Sequence, residues 1–371
     1  MNLNVFMPTK LITGSGCVVS AGKELAKLGK TCLIVTGKTA AKMSGALSDV
    51  TGTLDRNGQS WVLFDGIGQN PRLTDCMEAA AQAIDAGADF VLGIGGGSAL
   101  DAAKCIAVLA ANPGINKQQL YAFDWENMPL KIAVVGTTAG TGSEVTKVSV
   151  ITTPDGRKKS FHHEAIFPAL ALGDPGYTMS LPEGVTRATM VDVLAHCAES
   201  FFSRSANHIS RMYAVEGIRL LLPVFRRMAE TGCENLPFET REALYYASIY
   251  GGLAINVTGT CFPHTMGYLL TESFGIPHGT ACAVFQKEFY LYNKTVVPEL
   301  AQEYLQRIGC TEEEYFTLLA KLTPSCDITM TEDLISASHS RWVNNGSLAK
   351  CQGDFTPQMA DDVLRQMFLK K

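Results

Sequence analysis

The stretch Phe90-Val91-Leu92-Gly93-Ile94-Gly95-Gly96-Gly97-Ser98-Ala99-Leu100-Asp101-Ala102-Ala103-Lys104 decides how the chain is read. An apolar run passes through three consecutive glycines into an alanine-rich segment of helical period, which predicts a buried strand turning directly into a helix. Glycine has no Cβ, so backbone N–H groups can approach an anion there, and a helix start adds unpaired N–H donors and a partial positive charge. A pyrophosphate fits such a turn, and so does a plain strand–helix connection with Ser98 as N-cap. The spacing is neither Gly-x-Gly-x-x-Gly nor that of a P-loop, which counts against an ordinary Rossmann or P-loop assignment.

The alternation continues on both sides. Short β-rich runs at 31–36, 61–64, 90–94, 132–135 and 169–172 are separated by helical patterns, the order that gives parallel strands joined by crossover helices. The segment 72–86 places Leu73, Met77, Ala80 and Ile84 on one face, and 98–111 does the same with Ala102, Ile106 and Leu109. After Asp174-Pro175-Gly176 the strand signal fades, and 184–202, 209–230, 239–257, 278–292 and 357–369 all read as helix. The expected architecture is an α/β domain with a parallel sheet over residues 1–178 and an all-α domain over 179–371, with a cleft between them.

Composition narrows the function. The 371 residues are 46% hydrophobic and 18% charged, with 31 Lys+Arg against 36 Asp+Glu for a net charge of −5, enough chain for two cored domains. Mild acidity and the lack of a basic cluster argue against nucleic acid. No apolar run reaches the length of a membrane span and no signal core opens the sequence, so a cytoplasmic protein without a membrane partner is expected. The 11 cysteines are spread singly and odd in number, which points to reduced, buried thiols in place of a zinc knuckle or a disulfide framework.

Two further constellations carry chemistry. Gly136-Thr137-Thr138-Ala139-Gly140-Thr141-Gly142-Ser143-Glu144-Val145-Thr146 follows the strand ending at Val135 and offers small hydroxyl side chains at the same sheet edge as the triple glycine. By itself it also reads as a polar turn; two such loops at strand carboxyl ends favour a nucleotide, because ligands of open α/β sheets bind there. In the second half, Asp192 and His196 stand four apart in a predicted helix and therefore share a face, with His264 and His278 further on. One carboxylate and three imidazoles would hold a first-row divalent ion with room for a substrate oxygen. Taken singly, Asp192 with His196 is also an ordinary i,i+4 pair, and His264 and His278 are ordinary core or capping histidines.

Together and in this order, these motifs resemble the iron-containing (group III) alcohol dehydrogenases, over roughly four fifths of the chain from Met7-Pro8 to beyond Pro277-His278-Gly279. The resemblance implies a dinucleotide-binding N-terminal domain and a helical domain that supplies the metal. It implies Asp192, His196, His264 and His278 as ligands of Fe(II), with zinc next, and Gly95, Gly96, Gly97 and Ser98 as the pyrophosphate loop. Asp101, Thr137, Thr138, Thr141 and Ser143 follow as cofactor-site residues, with Asn70 as the family's Asn-Pro turn. Lys158 most nearly matches a lysine near the nicotinamide ribose, although Lys159 beside it leaves the register open. It also implies a homodimer and a small alcohol/aldehyde substrate. No cysteine matches a ligand position.

Three departures sharpen the expectation. Where NAD-preferring members often carry an aspartate after the strand, this chain has Gly37 then Lys38, so NADP(H) is expected to be accepted and preferred, with NAD(H) as the other option. A further histidine of many relatives is here Tyr268, which either passes a proton or packs in the pocket. Cys197 beside His196 reads as a structural thiol. Phe161, Phe262 and Tyr268 are expected to line the substrate pocket. The expected reaction is hydride transfer between the nicotinamide cofactor and a small alcohol or aldehyde. The competing readings are a metal- and NAD-dependent cyclase of the dehydroquinate synthase type and a catalytically silent nucleotide-binding scaffold.

Overall fold

The structure is a computed structural model and describes residues 3–369. Among the described residues there are eight strands, β1 (Lys10–Thr13), β2 (Thr31–Thr36), β3 (Ser60–Phe64), β4 (Phe90–Gly95), β5 (Lys131–Gly136), β6 (Val148–Thr152), β7 (Lys158–His162) and β8 (Leu170–Gly173). Six of them form one parallel sheet in the order β1-β8-β5-β4-β2-β3. The central strands read as continuous apolar runs because both faces of a parallel sheet are covered. Leu33, Val35, Val91, Ile132 and Val134 pack on one face against the helices Leu73–Asp85 and Gly97–Ala111. Their neighbours Cys32, Ile34, Leu92, Ala133 and Val135 pack on the other, against Val18, Leu25, Val50 and Leu54.

The strand order sets the position of a ligand edge. The chain runs outward from β2 to β3, then returns to place β4 on the other side of β2. Connecting helices therefore leave β2 and β4 toward opposite faces, which opens a crevice at their carboxyl ends. The registers Thr36↔Ile94 and Gly95↔Gly136 bring Gly37, the triple glycine and the threonine-rich loop to that one edge.

Three features departed from the sequence expectations. In the helix Leu73–Asp85 the packed strip is Leu73, Cys76, Ala79, Ala80 and Ala83, whereas Met77 and Ile84 are 51% and 44% exposed. Small residues win that strip because the neighbouring helix Gly97–Ala111 lies close against it. The segment 278–292 is not one helix but two, His278–Ala283 and Gln286–Val296. The antiparallel pair β6–β7 is absent from the sequence expectations, although the Pro154-Asp155-Gly156 turn that follows the β-branched stretch Val148–Thr152 is a hairpin signal.

The chain groups into two compact units. One comprises Phe6–Leu181 together with Leu236–Tyr245; the other contains Pro182–Asn235 and most of the chain from Tyr246 onward. The first turns of the helix Phe238–Thr258 thus belong with the α/β unit, an arrangement that a single boundary near residue 178 does not describe. Tyr245 is fully buried there, its hydroxyl donating to Glu144 Oε1 at 3.3 Å. In the helical unit, Glu183–Phe202 is buried on all sides from Met190 onward, as expected for a helix at the centre of its domain. Among the described residues no helix is long and apolar enough to cross a membrane.

Candidate functional site

In the α/β unit the two small-residue loops are packed into one another. A Cβ at Gly96 would stand 2.9 Å from Thr138 Cγ2, and one at Gly97 would stand 2.6 Å from Thr141 Cγ2. Only glycine permits this approach, so part of the glycine signal reflects packing between loops. Gly96, not Ser98, occupies the N-cap position of the helix Gly97–Ala111. Gly96, Gly97, Ser98, Thr138 and Thr141 remain partly exposed, while Gly95 and Thr137 are buried and Thr137 Oγ1 has no hydrogen-bond partner. A fifteen-residue helix therefore presents its first N–H groups beside several hydroxyls, a surface suited to a pyrophosphate.

A buried strut holds these loops. Lys104 is completely buried, and its Nζ donates to Ser143 O (2.8 Å), Ser143 Oγ (2.7 Å), Thr146 Oγ1 (3.3 Å) and Val148 O (2.8 Å). Asp101 accepts from Ser143 Oγ at 2.6 Å and from the Val150 N–H at 2.9 Å. Burial lowers the Lys104 ammonium to about 8, against the opposing pull of Asp101 and Glu144. Burial raises the Asp101 and Glu144 carboxyls. The side chains of Asp101 and Ser143 are thus engaged inside the protein, where they tie the threonine-rich loop to the helix Gly97–Ala111.

A second polar cluster forms around Asn70, which takes a left-handed conformation (φ 58°). Its N–H donates to Ser98 Oγ at 3.3 Å, and Lys158 Nζ donates to its Oδ1 at 3.0 Å. Lys159 instead lies over the Tyr121 ring, 4.4 Å from its centroid. Geometry therefore separates the two lysines that the sequence left ambiguous. Gly37 and exposed Lys38 follow β2, and Lys42 pairs with Asp65 at 2.8 Å just beyond β3. That ion pair, with the charge of Lys38 added, holds Asp65 below the usual carboxylate range.

In the helical unit, Asp192 and His196 come from Glu183–Phe202, His264 from Phe262–Phe274, and His278 from the first position of His278–Ala283. Close helix packing brings them together: a Cβ at Gly279 would stand 2.0 Å from Ala188 O and 2.7 Å from Asp192 Cβ. Asp192 Oδ1 lies 3.5 Å from His264 Nε2 and 3.9 Å from His196 Nε2. The His196 and His264 rings stack at 4.6 Å, His278 meets His264 edge-on at 5.3 Å, and Tyr268 stacks on His278 at 5.2 Å. Phe161 and Phe262 are buried in the cores of their units, Phe262 stacked on Phe355, and neither offers a substrate-facing surface.

The donor set fits a divalent cation. Asp192 Oδ1 and His264 Nε2 are both buried without a hydrogen-bond partner. Orphaning such groups costs ~1–3 kcal/mol each. An ion about 2.0–2.1 Å from each would hold them about 3.4 Å apart at tetrahedral angles, close to the separation seen. Burial alone would raise the Asp192 carboxyl, but His196, His264 and His278 outweigh it and hold it below the ordinary carboxylate range. Burial also works against a charged His264, yet Cys282, Glu199 and Asp192 together push its pKa well above the ordinary value.

Two residues of this centre escaped the sequence reading. Glu199 is fully buried; its Oε1 lies 2.6 Å from His264 Nδ1, and its Oε2 accepts from the Cys261 N–H at 2.7 Å. A carboxylate on Nδ1 fixes that nitrogen as donor and leaves Nε2 free to face the ion. Cys282 is the other: the ligand atoms of Asp192, His264, His278 and Cys282 all lie within 4.8 Å of one another. Burial pushes its thiol up to about 11, with His264 acting against the rise. Both signals were present as helical spacing, Glu199 seven residues after Asp192 and Cys282 four after His278.

Comparison with known proteins follows the same two-part division. Residues 8–175 match the family model described as iron-containing alcohol dehydrogenase, and residues 186–334 match that of the family's C-terminal domain. The 1,3-propanediol dehydrogenase of Klebsiella pneumoniae is 30% identical over 98% of this chain and 91% of its own length. The long-chain-alcohol dehydrogenase 1 of Geobacillus thermodenitrificans is 34% identical over 76% of this chain and 70% of its own. Among solved structures, the iron-containing alcohol dehydrogenase of Thermotoga maritima superposes with a TM-score of 0.89 at 30% identity, over 98% of each chain. The sulfoacetaldehyde reductase of Bifidobacterium kashiwanohense, solved with NAD+, gives 0.87 at 26% identity, over 99% of each chain.

Proposed function

The chain belongs to the iron-containing alcohol dehydrogenase family, and on that premise we propose that it interconverts a small alcohol and its aldehyde by hydride exchange with a nicotinamide cofactor, NADP(H) in preference to NAD(H). The observation that carries this reading is the buried gap between Asp192 Oδ1 and His264 Nε2, ringed by His196 and His278. These four residues would hold the ion, Fe(II) by family and zinc next. When bound, it supplies Lewis acidity toward a carbonyl or alcohol oxygen.

The protein's own groups prepare the site. Glu199 orients the His264 ring, and Tyr268, stacked on His278, would steady that ring. In the other unit, the N–H groups opening Gly97–Ala111 and the hydroxyls of Ser98, Thr138 and Thr141 would take the pyrophosphate. Thr137 and Gly95 form the buried floor of that loop, joined by the Thr137 N–H to Gly95 O bond of 2.9 Å. Asn70 and Lys158 form one hydrogen-bonded unit with Ser98, suited to the nicotinamide ribose. Lys38 and Lys42 against the single carboxylate of Asp65 leave one positive charge beyond β2, which favours a 2′-phosphate. The family match favours a dehydrogenase over the cyclase and the silent scaffold. A homodimer is part of the proposal, to be checked by light scattering.

The test is a panel of short-chain aldehydes and alcohols with NADPH and NADH on enzyme of measured metal content. His264→Ala and His278→Ala should lose metal and turnover together while cofactor binding persists. Turnover by a demonstrably metal-free variant overturns the mechanism, and a higher kcat/KM with NADH than with NADPH overturns the cofactor preference.

A further inference from the structure

Eleven cysteines run through the chain, and one of them sits where the buried ligand atoms converge. Cys282 lies one turn after His278 on the same short helix, so its side chain projects from the same face. It is fully buried. Its Sγ is 3.7 Å from His278 Nδ1 and 3.8 Å from His278 Nε2. From the other side, a Cβ at Gly267 would stand 2.9 Å from Sγ, so the helix that carries His264 presses against the sulfur at a residue with no side chain.

Only one of the two ring nitrogens can face a given ion, and either separation suits a sulfur and a nitrogen donor on one ion. A zinc–sulfur bond of about 2.3 Å and a zinc–nitrogen bond of about 2.0–2.1 Å meeting at the tetrahedral angle put sulfur and nitrogen about 3.6 Å apart. The other pair, Asp192 Oδ1 and His264 Nε2, is buried, lacks hydrogen-bond partners and falls in the same compact group. His196 stands slightly outside that group, its Nε2 3.9 Å from Asp192 Oδ1 and its ring stacked on His264. The sulfur is therefore placed at least as favourably toward the centre as one of the four residues assigned to it by family.

We infer that Cys282 is a further metal donor of this centre, its thiolate coordinating the ion beside Asp192, His264 and His278. The inference rests on the metal-centre reading above. On coordination the S–H proton leaves to solvent and the sulfur lone pair binds the ion, so one more proton is released per ion bound than by a centre of oxygen and nitrogen donors alone. A soft sulfur donor also changes selectivity. Zinc already binds imidazole and carboxylate sites more tightly than Fe(II), and a thiolate widens that difference.

The experiment compares the wild type with Cys282→Ser, both demetallated and reloaded with zinc or with cobalt. Zinc K-edge X-ray absorption of the wild type should show one sulfur at about 2.3 Å. The cobalt form should show the near-ultraviolet sulfur-to-cobalt charge-transfer band. Cys282→Ser should lose both signals and still bind one ion. Its zinc affinity should fall by more than the roughly 10–100-fold that loss of an outer-sphere partner costs, and its zinc-over-iron selectivity should fall with it. An oxygen/nitrogen-only shell in the wild type, or sulfur retained in the variant, overturns the inference and leaves the metal centre standing. Failure of the wild type to take up a stoichiometric ion overturns both. Should the serine variant not fold, the wild-type absorption spectrum alone decides.

Discussion

Replacing Glu199 with glutamine changes one buried atom and tests how the centre is held. The carboxylate receives three donors: Oε1 faces His264 Nδ1 at 2.6 Å and Gln286 Nε2 at 3.2 Å, and Oε2 receives the Cys261 N–H at 2.7 Å. An amide of the same shape has one acceptor and one donor end. With its oxygen toward His264, its NH2 group meets the Cys261 N–H, and a buried unsatisfied donor costs ~1–3 kcal/mol. With its NH2 toward His264, Nδ1 must accept, the ring proton moves to Nε2, and that nitrogen can no longer face a cation. In either orientation His264 also loses its anionic partner and with it some basicity. Metal affinity should fall about 10–100-fold, equivalent to about 1.4–2.7 kcal/mol. Competition against a chelator of known affinity, read by metal analysis, measures it. Cofactor affinity serves as the control, since the residues assigned to the cofactor belong to the other unit. Metal affinity within about threefold of the wild type would refute the orienting role of Glu199.

Three other perturbations follow from the α/β unit. Lys104→Met removes the ammonium that contacts four oxygens and takes the cation from beside buried Asp101 (3.8 Å), so unfolding should become easier by about 3–5 kcal/mol, measured by denaturant unfolding at pH 7. Because the Lys104 pKa is about 8 folded and 10.5 as a free side chain, the unfolded chain holds more protons between those values. The wild type should therefore gain stability relative to the variant from pH 8 to 10.5, and a gap that shrinks over that range contradicts the buried ammonium. Lys38→Asp should move the NADPH/NADH ratio of kcat/KM toward NADH by about 10–100-fold, since it removes a charged contact and adds a repulsive one; an unchanged ratio would place the 2′-phosphate elsewhere. Gly97→Ala forces a Cβ to within 2.6 Å of Thr141 Cγ2, and should weaken NADPH binding by about tenfold in a fluorescence titration while the metal content is unaffected.

Local pattern made the parallel sheet legible. β2, β4 and β5 carry unbroken apolar stretches (32–35, 90–94 and 132–135) because both faces are buried, and the glycine run marks where β4 meets its helix. The edge strand β1 and the β6–β7 pair escaped because short, half-exposed strands mix polar and apolar residues. The period of the helix Leu73–Asp85 is visible in the sequence but its packed face is not: hydrophobicity points to Met77 and Ile84, whereas close approach of a second helix selects alanines and Cys76.

The α/β and helical halves, the glycine and threonine loops and the shared face of Asp192 and His196 are legible in the chain alone, because strand period, helix period and i,i+4 spacing are local properties; His264 and His278 join that pair in the sequence only through the family resemblance. Only the tertiary structure decided what lies next to that quartet. Glu199 and Cys282 are distinguished by contacts to residues 65 and 18 positions away, His264 in both cases, and no local period encodes such contacts. The same holds for Lys104, whose exposed-residue chemistry gave no hint that it is buried among Ser143, Thr146 and Val148. Sequence spacing tells which side chains share a face; packing between helices, set by residues as small as Gly279, decides which faces meet.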